Sequence, residues 1–193
     1  MFIAEKRLDI PTSEVDLRGG QHLSEEFRAL NPYCTVPVLE TDDGQRFTST
    51  QGCWRYLEEQ FPDPALLGRA PAEKARIADL VWRIDVDGFH AAAEGLRNSA
   101  PGLKDRALTG PRNYAQIAEL GERGKARTQA FMDGFEDLLA GNAFLAGETF
   151  SAADIMALVT IDFAGWIKIR LPEDAANAQR WYQSVSARPS ASL

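Results

Sequence analysis

The chain has 193 residues, 45% of them apolar, and a formal net charge of −7. That length allows one domain or two small ones, and the apolar share supplies a sizeable core. The acidic balance, with no basic stripe to offset it, argues against nucleic acid or an anionic membrane surface as a partner, and no apolar run approaches the roughly twenty residues that span a bilayer.

Met1–Arg7 has no charged region followed by an apolar stretch, so no signal peptide is expected. The cysteines, Cys34 and Cys53, lack metal-ligand spacing, so no metal is expected and both read as thiols of a reducing cytosol. Met1–Lys6 reads as the tail of an amphipathic helix that Pro11 keeps from continuing. Thr12–Leu17 alternates like a strand, with Val15 and Leu17 on one face, and Arg18-Gly19-Gly20 is a turn. Ser24–Leu30 is a short helix with Ser24 as cap and Phe27 and Leu30 inward. Val36–Leu39 and Gln45–Thr48 are strands joined by a hairpin at Asp42-Asp43-Gly44. Thr50–Gln60 is a helix that Phe61-Pro62-Asp63-Pro64 stops, and a linker reaches about Ala70.

Everything beyond is helical. Pro71 suits a first helical position, and Ile77, Leu80, Val81 and Ile84 share one face of a helix running to about Asn98. A polar stretch, Ser99–Arg112, leads to a second long helix carrying Ile117, Leu120, Phe131, Phe135 and Leu138 and stopping at Gly141. A third helix follows Phe150 and a fourth spans roughly Ala175 to Ala187. A mixed half of about 65 residues before an all-helical half suggests two domains.

The stretch Asn31-Pro32-Tyr33-Cys34-Thr35-Val36-Pro37-Val38-Leu39-Glu40, then a polar turn and Thr48-Ser49-Thr50, is the most informative. It reads as strand, proline bend, hairpin and helix start, a layout that holds a small peptide by its backbone at one end and its carboxylate at the other. It resembles the glutathione-binding half of the glutathione transferase family. Phe144–Ile155 resembles that family's folding motif, in which Ser151 and Asp154 form a capping box and Phe150 staples against Ile155. The run from Ile161-Asp162-Phe163-Ala164 to Arg188-Pro189 is similar to a bacterial and fungal branch. The fold implied is α+β: a thioredoxin-like N-terminal domain (residues 1–62, incomplete at its start), a linker (63–70) and an all-α C-terminal domain (71–193).

Each candidate residue has a chemical reason. The main chain of Val36, before a proline that the resemblance implies is cis, would pair with a cysteinyl peptide as an extra short strand; from sequence alone only about one X-Pro bond in twenty is cis. Thr50 stands at a helix N-terminus, whose free N–H groups suit a carboxylate; it also reads as a plain cap. Ser49 stands where the family usually has Glu, Gln or Asp to meet the ligand's ammonium, and a neutral partner there weakens binding by about 1–2 kcal/mol, roughly tenfold. His22, in Gly19-Gly20-Gln21-His22-Leu23-Ser24, resembles a loop whose His and Lys approach the glycyl end, with Leu23 at the lysine position. Trp82 and Phe89, seven apart, are assigned to the pocket for the electrophile; domain packing is the plainer reading of each.

A free thiol is about 3% thiolate at pH 7, and lowering its pKa by two units needs about 2.7 kcal/mol of preferential anion stabilisation. The family's usual Tyr, Ser or Cys donor lies in a strand-and-loop segment of roughly 15–20 residues expected before Met1. That implies an internal methionine taken as the start, a shortened chain, or a natural truncation that gave up catalysis. Without that donor, His90, Asn98 and Ser99 are the candidates to hold an activating water. Cys34 could form a mixed disulfide with glutathione, though an ordinary thiol is the plainer reading; Cys53 reads as core.

The resemblance thus implies a cytoplasmic homodimer with glutathione as co-substrate and no tightly bound cofactor, conjugating the thiolate to an electrophilic small molecule. Isomerisation, dehalogenation and peroxide reduction share the fold. The alternatives are a non-catalytic glutathione-binding or assembly protein, and a thiol oxidoreductase using Cys34.

Overall fold

The computed structural model describes residues 1–139 and 141–192. Helix α1 (Phe2–Glu5) is one turn long and buries Phe2, which stacks on Trp54 with ring centroids 5.2 Å apart. Residues 8–16, expected to hold the strand Thr12–Leu17, form none. Among the described residues no strand lies beside them to take their N–H and C=O groups, and Leu17, expected on one face with Val15, is 50% exposed. The turn at residues 17–20 is present, with Gly20 at φ +80° and Asp16 Oδ1 accepting from Gly19 N–H at 2.7 Å. Ser24 caps α2 (Glu25–Leu30) by accepting from Phe27 N–H at 3.1 Å. Phe27 is buried, but Leu30, also expected inward, is exposed where the chain turns away at Asn31.

The two strands are shorter than expected. β1 (Leu39–Glu40) pairs antiparallel with β2 (Arg46–Phe47), Leu39 opposite Phe47 and Glu40 opposite Arg46. Val36–Val38 stays outside the ladder. Helix α3 (Thr50–Gln60) then buries Cys53, Trp54, Leu57 and Glu58.

The helical half opens with α4 (Pro71–Arg83), Pro71 at its first position. The Glu73 carboxylate accepts from the N–H groups of Arg69 (2.9 Å) and Ala70 (3.1 Å), covering donors that the helix start leaves open. A π-helical segment, Ile84–Phe89, joins α4 to α5 (His90–Ser99). Helix α6 (Ala118–Asp133) ends at Gly134 and a one-turn α7 (Phe135–Leu138) follows, where one helix reaching Gly141 was expected.

The inner face of α6 also differs from the expected apolar set. Of that set Phe135 is fully buried and Phe131 packs against the core, whereas Ile117 and Leu138 are exposed; Gly121, Gly124, Thr128 and Met132 supply the buried residues of α6. Small residues win because α5 lies so close: a Cβ on Gly124 would fall 2.3 Å from Gly95 N and 2.8 Å from the Ala91 carbonyl. Helix α8 (Ala152–Ala164) starts at the expected capping box, and α9 (Ala176–Ser186) closes the bundle. One buried core joins Phe2, Trp54 and Leu57 to Ile77, Val81, Met132, Leu158 and Trp181, so both halves share it.

Candidate functional site

The groove is built by the segment between α2 and β1. Asn31, fully buried, sculpts it: its amide Nδ2 donates to the Thr35 carbonyl (2.7 Å) and hydroxyl (3.1 Å), and its Oδ1 accepts from Tyr33 N–H (3.0 Å). This ties a loop in which Cys34 takes φ +54° and the Val36-Pro37 bond is cis. Val36 is 42% exposed, and among the described residues nothing pairs with its N–H or C=O. The sequence reading missed Asn31. Its signal was an asparagine directly after a helix and before a proline, a place where the side chain commonly bonds nearby main chain.

The hairpin register brings the second end of the groove into place. The ladder ends at the Leu39–Phe47 pair, from which one chain leads back to Pro37 and the other on to Ser49. Ser49, not Thr50, is the cap of α3: its Oγ accepts from Gly52 N–H at 3.1 Å. Thr50 is the first helical residue, and nothing among the described residues accepts from its N–H, from its hydroxyl or from Gln51 N–H. The start of this eleven-residue helix thus offers exposed main-chain donors, and the Val36 main chain across the hairpin from it is unpaired as well.

His22 lies in a 3₁₀ turn, Gln21–Leu23, with Nδ1 buried and unpartnered. Burial pushes its pKa down, and the charges of Arg106 and Arg97 push it further. Cys34 is 1% exposed, its Sγ 3.8 Å from the Pro32 carbonyl. Cys53 is buried against the Phe47 carbonyl (3.5 Å), and burial pushes its thiol up.

The remaining candidates are not brought together. Trp82 is 59% exposed, whereas Phe89 is half-buried and stacks on Phe163 at 5.0 Å. The two were expected to share a face. The π-helical segment between them takes more residues per turn, so a spacing of seven no longer returns to the same side. His90 is exposed, its Nδ1 3.0 Å from the Asp85 carbonyl and 3.2 Å from the Asp85 carboxylate. Asn98 is buried and fully engaged: Nδ2 donates to the Glu94 carbonyl and Oδ1 accepts from Ile117 N–H, both at 3.0 Å. Ser99 donates to the Gly95 carbonyl at 2.6 Å. Asn98 therefore serves the junction between α5 and α6, and Ser99 bonds back within α5.

Comparison with known proteins decides the family. The glutathione S-transferase N-terminal domain matches residues 1–60, and the glutathione S-transferase C-terminal domain matches residues 110–189. Glutathione S-transferase 2 of Saccharomyces cerevisiae is 30% identical over 97% of this chain and 79% of its own length. The chain belongs to the glutathione S-transferase family. FtsZ-localized protein A of Caulobacter vibrioides is another relative, 32% identical over 98% of this chain and 81% of its own.

Solved structures agree on the transferase fold. A glutathione S-transferase domain-containing protein of Marinobacter aquaeolei superposes with TM-score 0.89 at 33% identity, covering 98% of this chain and 91% of that one. Gtt2 of Saccharomyces cerevisiae superposes with TM-score 0.88 at 28% identity, covering 99% and 90%. The architecture is that of the family, a small thioredoxin-like N-terminal domain with few strands followed by a helical C-terminal domain.

Proposed function

We propose that the chain is a glutathione transferase that joins the thiol sulfur of glutathione to an electrophilic carbon. Glutathione lies extended along Val36 beside Pro37, its cysteinyl main chain pairing with the free N–H and C=O of Val36. Its γ-glutamyl carboxylate sits at the open start of α3, on Thr50 N–H, Gln51 N–H and the Thr50 hydroxyl, with Ser49 at the margin and His22 toward the glycyl end. The thiol proton leaves to solvent, the sulfur–carbon bond forms, and the electrophile's leaving group departs with its electron pair. The observation that carries this reading is the unpaired main chain of Val36 before a cis proline, joined through the β1–β2 hairpin to the uncovered start of α3.

The electrophile's pocket is assigned to the side of α5, with Phe89 as its aromatic wall; Trp82, on another side of the helix, is left to a surface role. Of His90, Asn98 and Ser99, the occupied side chains of Asn98 and Ser99 favour His90 as the group that holds an activating water. The protein acts in the cytoplasm as a homodimer.

One observation favours a second reading, a glutathione-binding protein without conjugating activity: a relative 32% identical over 98% of this chain bears the name FtsZ-localized protein A and not that of a transferase. Two measurements separate them: retention on immobilised glutathione, and the absorbance of the conjugate formed from glutathione and 1-chloro-2,4-dinitrobenzene. Retention with conjugation is expected. Retention without conjugation of any of several electrophiles would replace the enzyme reading by the second, and absence of retention would overturn both.

A further inference from the structure

The end of α8, the turn after it and α9 enclose a cavity of about 510 Å³, a volume within the range of small-molecule sites. None of the residues lining it belongs to the Val36–Thr50 groove. Its lining is apolar where it meets the core, at buried Ile161 and Leu171. Toward solvent it is aromatic, at half-buried Tyr182 and at Trp166, which is 68% exposed.

The frame around this cavity is fixed. Trp166 stands in a 3₁₀ turn, Gly165–Ile167, that Lys168 closes in the left-handed region (φ +62°). Lys168 N–H donates to the Gly165 carbonyl at 3.0 Å and Ile169 N–H to the Ala164 carbonyl at 3.2 Å. Ile167 and Ile169 pack on the core, and a Cβ on Gly95 would stand 3.3 Å from Ile167 Cδ1, so the turn rests on α5. On the other side Gln179 Nε2 donates to the Pro172 carbonyl at 2.9 Å. The Glu136 carboxylate accepts from Asn177 N–H (3.1 Å) and Ala178 N–H (2.9 Å), which holds the start of α9. The Tyr182 hydroxyl donates to Asp162 Oδ1 at 2.6 Å and ties α9 to α8 within the lining. A ligand entering here meets groups that are already placed, which lowers the ordering cost of binding.

Both signs of charge line the cavity without neutralising each other. Asp162 and Glu173 bring carboxylates and Arg170 a guanidinium. Among the described residues none of the three forms an ion pair, whereas Arg46, Arg69, Arg123 and Arg188 each meet a carboxylate. The Arg170 charge is nonetheless felt at the centre of the lining. The bond to Asp162 pushes the Tyr182 pKa up to about 12, and Arg170 acts on the same hydroxyl in the opposite sense. The opposed charges are thus close enough to act on one group and too far apart to pair.

We propose that this cavity is a separate binding site for a small zwitterion with an aromatic body, the chemistry of a free aromatic amino acid. Its carboxylate lies on the planar fork of Arg170, its ammonium faces Asp162 and Glu173, and its ring packs on Trp166 and Tyr182. A plain anion would face two carboxylates and a plain cation would face the guanidinium. Only a ligand that carries both charges meets each group with its opposite, so the charge pattern selects against the single-charge analogues. The inference does not rest on the glutathione reading.

The chain has four tryptophans, so a Trp166→Phe variant identifies the Trp166 indole N–H resonance in proton–nitrogen correlation spectra. Titration of the wild-type chain with L-phenylalanine should shift that resonance saturably. 3-Phenylpropionate, which lacks the ammonium, and phenethylamine, which lacks the carboxylate, should bind at least tenfold more weakly. Arg170→Gln should weaken L-phenylalanine at least tenfold and leave phenethylamine unchanged. Asp162→Asn with Glu173→Gln, which keeps an acceptor for Tyr182, should weaken L-phenylalanine and not 3-phenylpropionate. Circular dichroism and thermal midpoints establish that each variant is folded. Retention on immobilised glutathione should be the same for these variants as for the wild type, which separates the cavity from the groove. No saturable shift with L-phenylalanine or L-tryptophan at millimolar concentration, or equal binding of either single-charge analogue, overturns the proposal.

Discussion

Asp154 offers the sharpest test of how this fold is held. Its carboxylate is fully buried and accepts four bonds: from Leu145 N–H (3.0 Å), Ser151 N–H (2.9 Å), Ser151 Oγ–H (3.1 Å) and the indole Nε1–H of Trp181 (2.8 Å). It closes the start of α8, pins the preceding loop and reaches α9. Burial pushes its pKa up against these four donors. Asp154→Ala leaves three buried N–H groups without an acceptor, while the Ser151 hydroxyl can rotate to another. At about 1–3 kcal/mol for each orphaned donor, with partial relaxation, the expected loss is about 4 kcal/mol, a large share of a typical total of about 5–15 kcal/mol. Urea unfolding followed by tryptophan fluorescence measures it, since Trp181 is itself a reporter. Asp154→Asn keeps one acceptor oxygen and should fall between. A shift below about 1 kcal/mol for Asp154→Ala, with an unchanged urea slope, would refute the argument that these donors depend on one carboxylate.

Ser49→Asp should tighten glutathione binding about tenfold by calorimetry, because aspartate caps a helix as well as serine and adds a charge for the ligand's ammonium; unchanged affinity would remove Ser49 from the site. Gly124→Ala drives a methyl into the backbone of α5 and should cost about 2 kcal/mol or more, read as a lowered thermal midpoint. The Arg188 guanidinium and then the Ser190 hydroxyl hold the Glu5 carboxyl below its usual range, with burial opposing. A depressed carboxyl contributes stability that is complete above the unfolded-state pKa of about 4.3 and is lost as pH falls through the lower folded value. The difference in urea midpoint between wild type and Arg188→Gln should therefore be larger at pH 6 than at pH 3. A constant difference would assign the effect to the packing of Arg188 on the Phe150 ring, 4.0 Å from its centroid.

Much of this was legible in the sequence because local chemistry decided it. Ser24 and Ser151 cap the helices they were read to cap, Pro71 opens α4, and Phe150 and Ile155 lie in the core on either side of the α8 start. What failed was decided at longer range. Thr12–Leu17 has the alternation of a strand, but a strand is defined by its neighbour, and none lies beside it among the described residues. The face of α6 was read only in part: Phe131 and Phe135 meet the core as their pattern implied, but apolar periodicity looks for large side chains, whereas a helix pressed onto α5 buries glycine and threonine. Trp82 and Phe89 were paired by counting 3.6 residues per turn across a segment that is π-helical.

The groove owes its order to the helical half. The mixed half has a two-residue ladder and little core of its own, so its parts must be anchored elsewhere. Lys6, with no exposed side chain, donates to the carbonyls of Phe61 (2.6 Å) and Pro64 (2.8 Å) and pairs with Glu58 at 2.7 Å, while Glu58 Oε1 accepts from Leu67 N–H at 2.8 Å. That buried ion pair locks the first helix, α3 and the linker into one body. Glu5 meets Arg188 at 2.6 Å, and Gly110 rests against Tyr33 at the groove itself. Because a buried ion pair adds little net stability over an apolar substitute of the same shape, its physical contribution here is register. It fixes how the last turn of α3 and the linker after it sit on the first helix, and so where the mixed half meets the bundle.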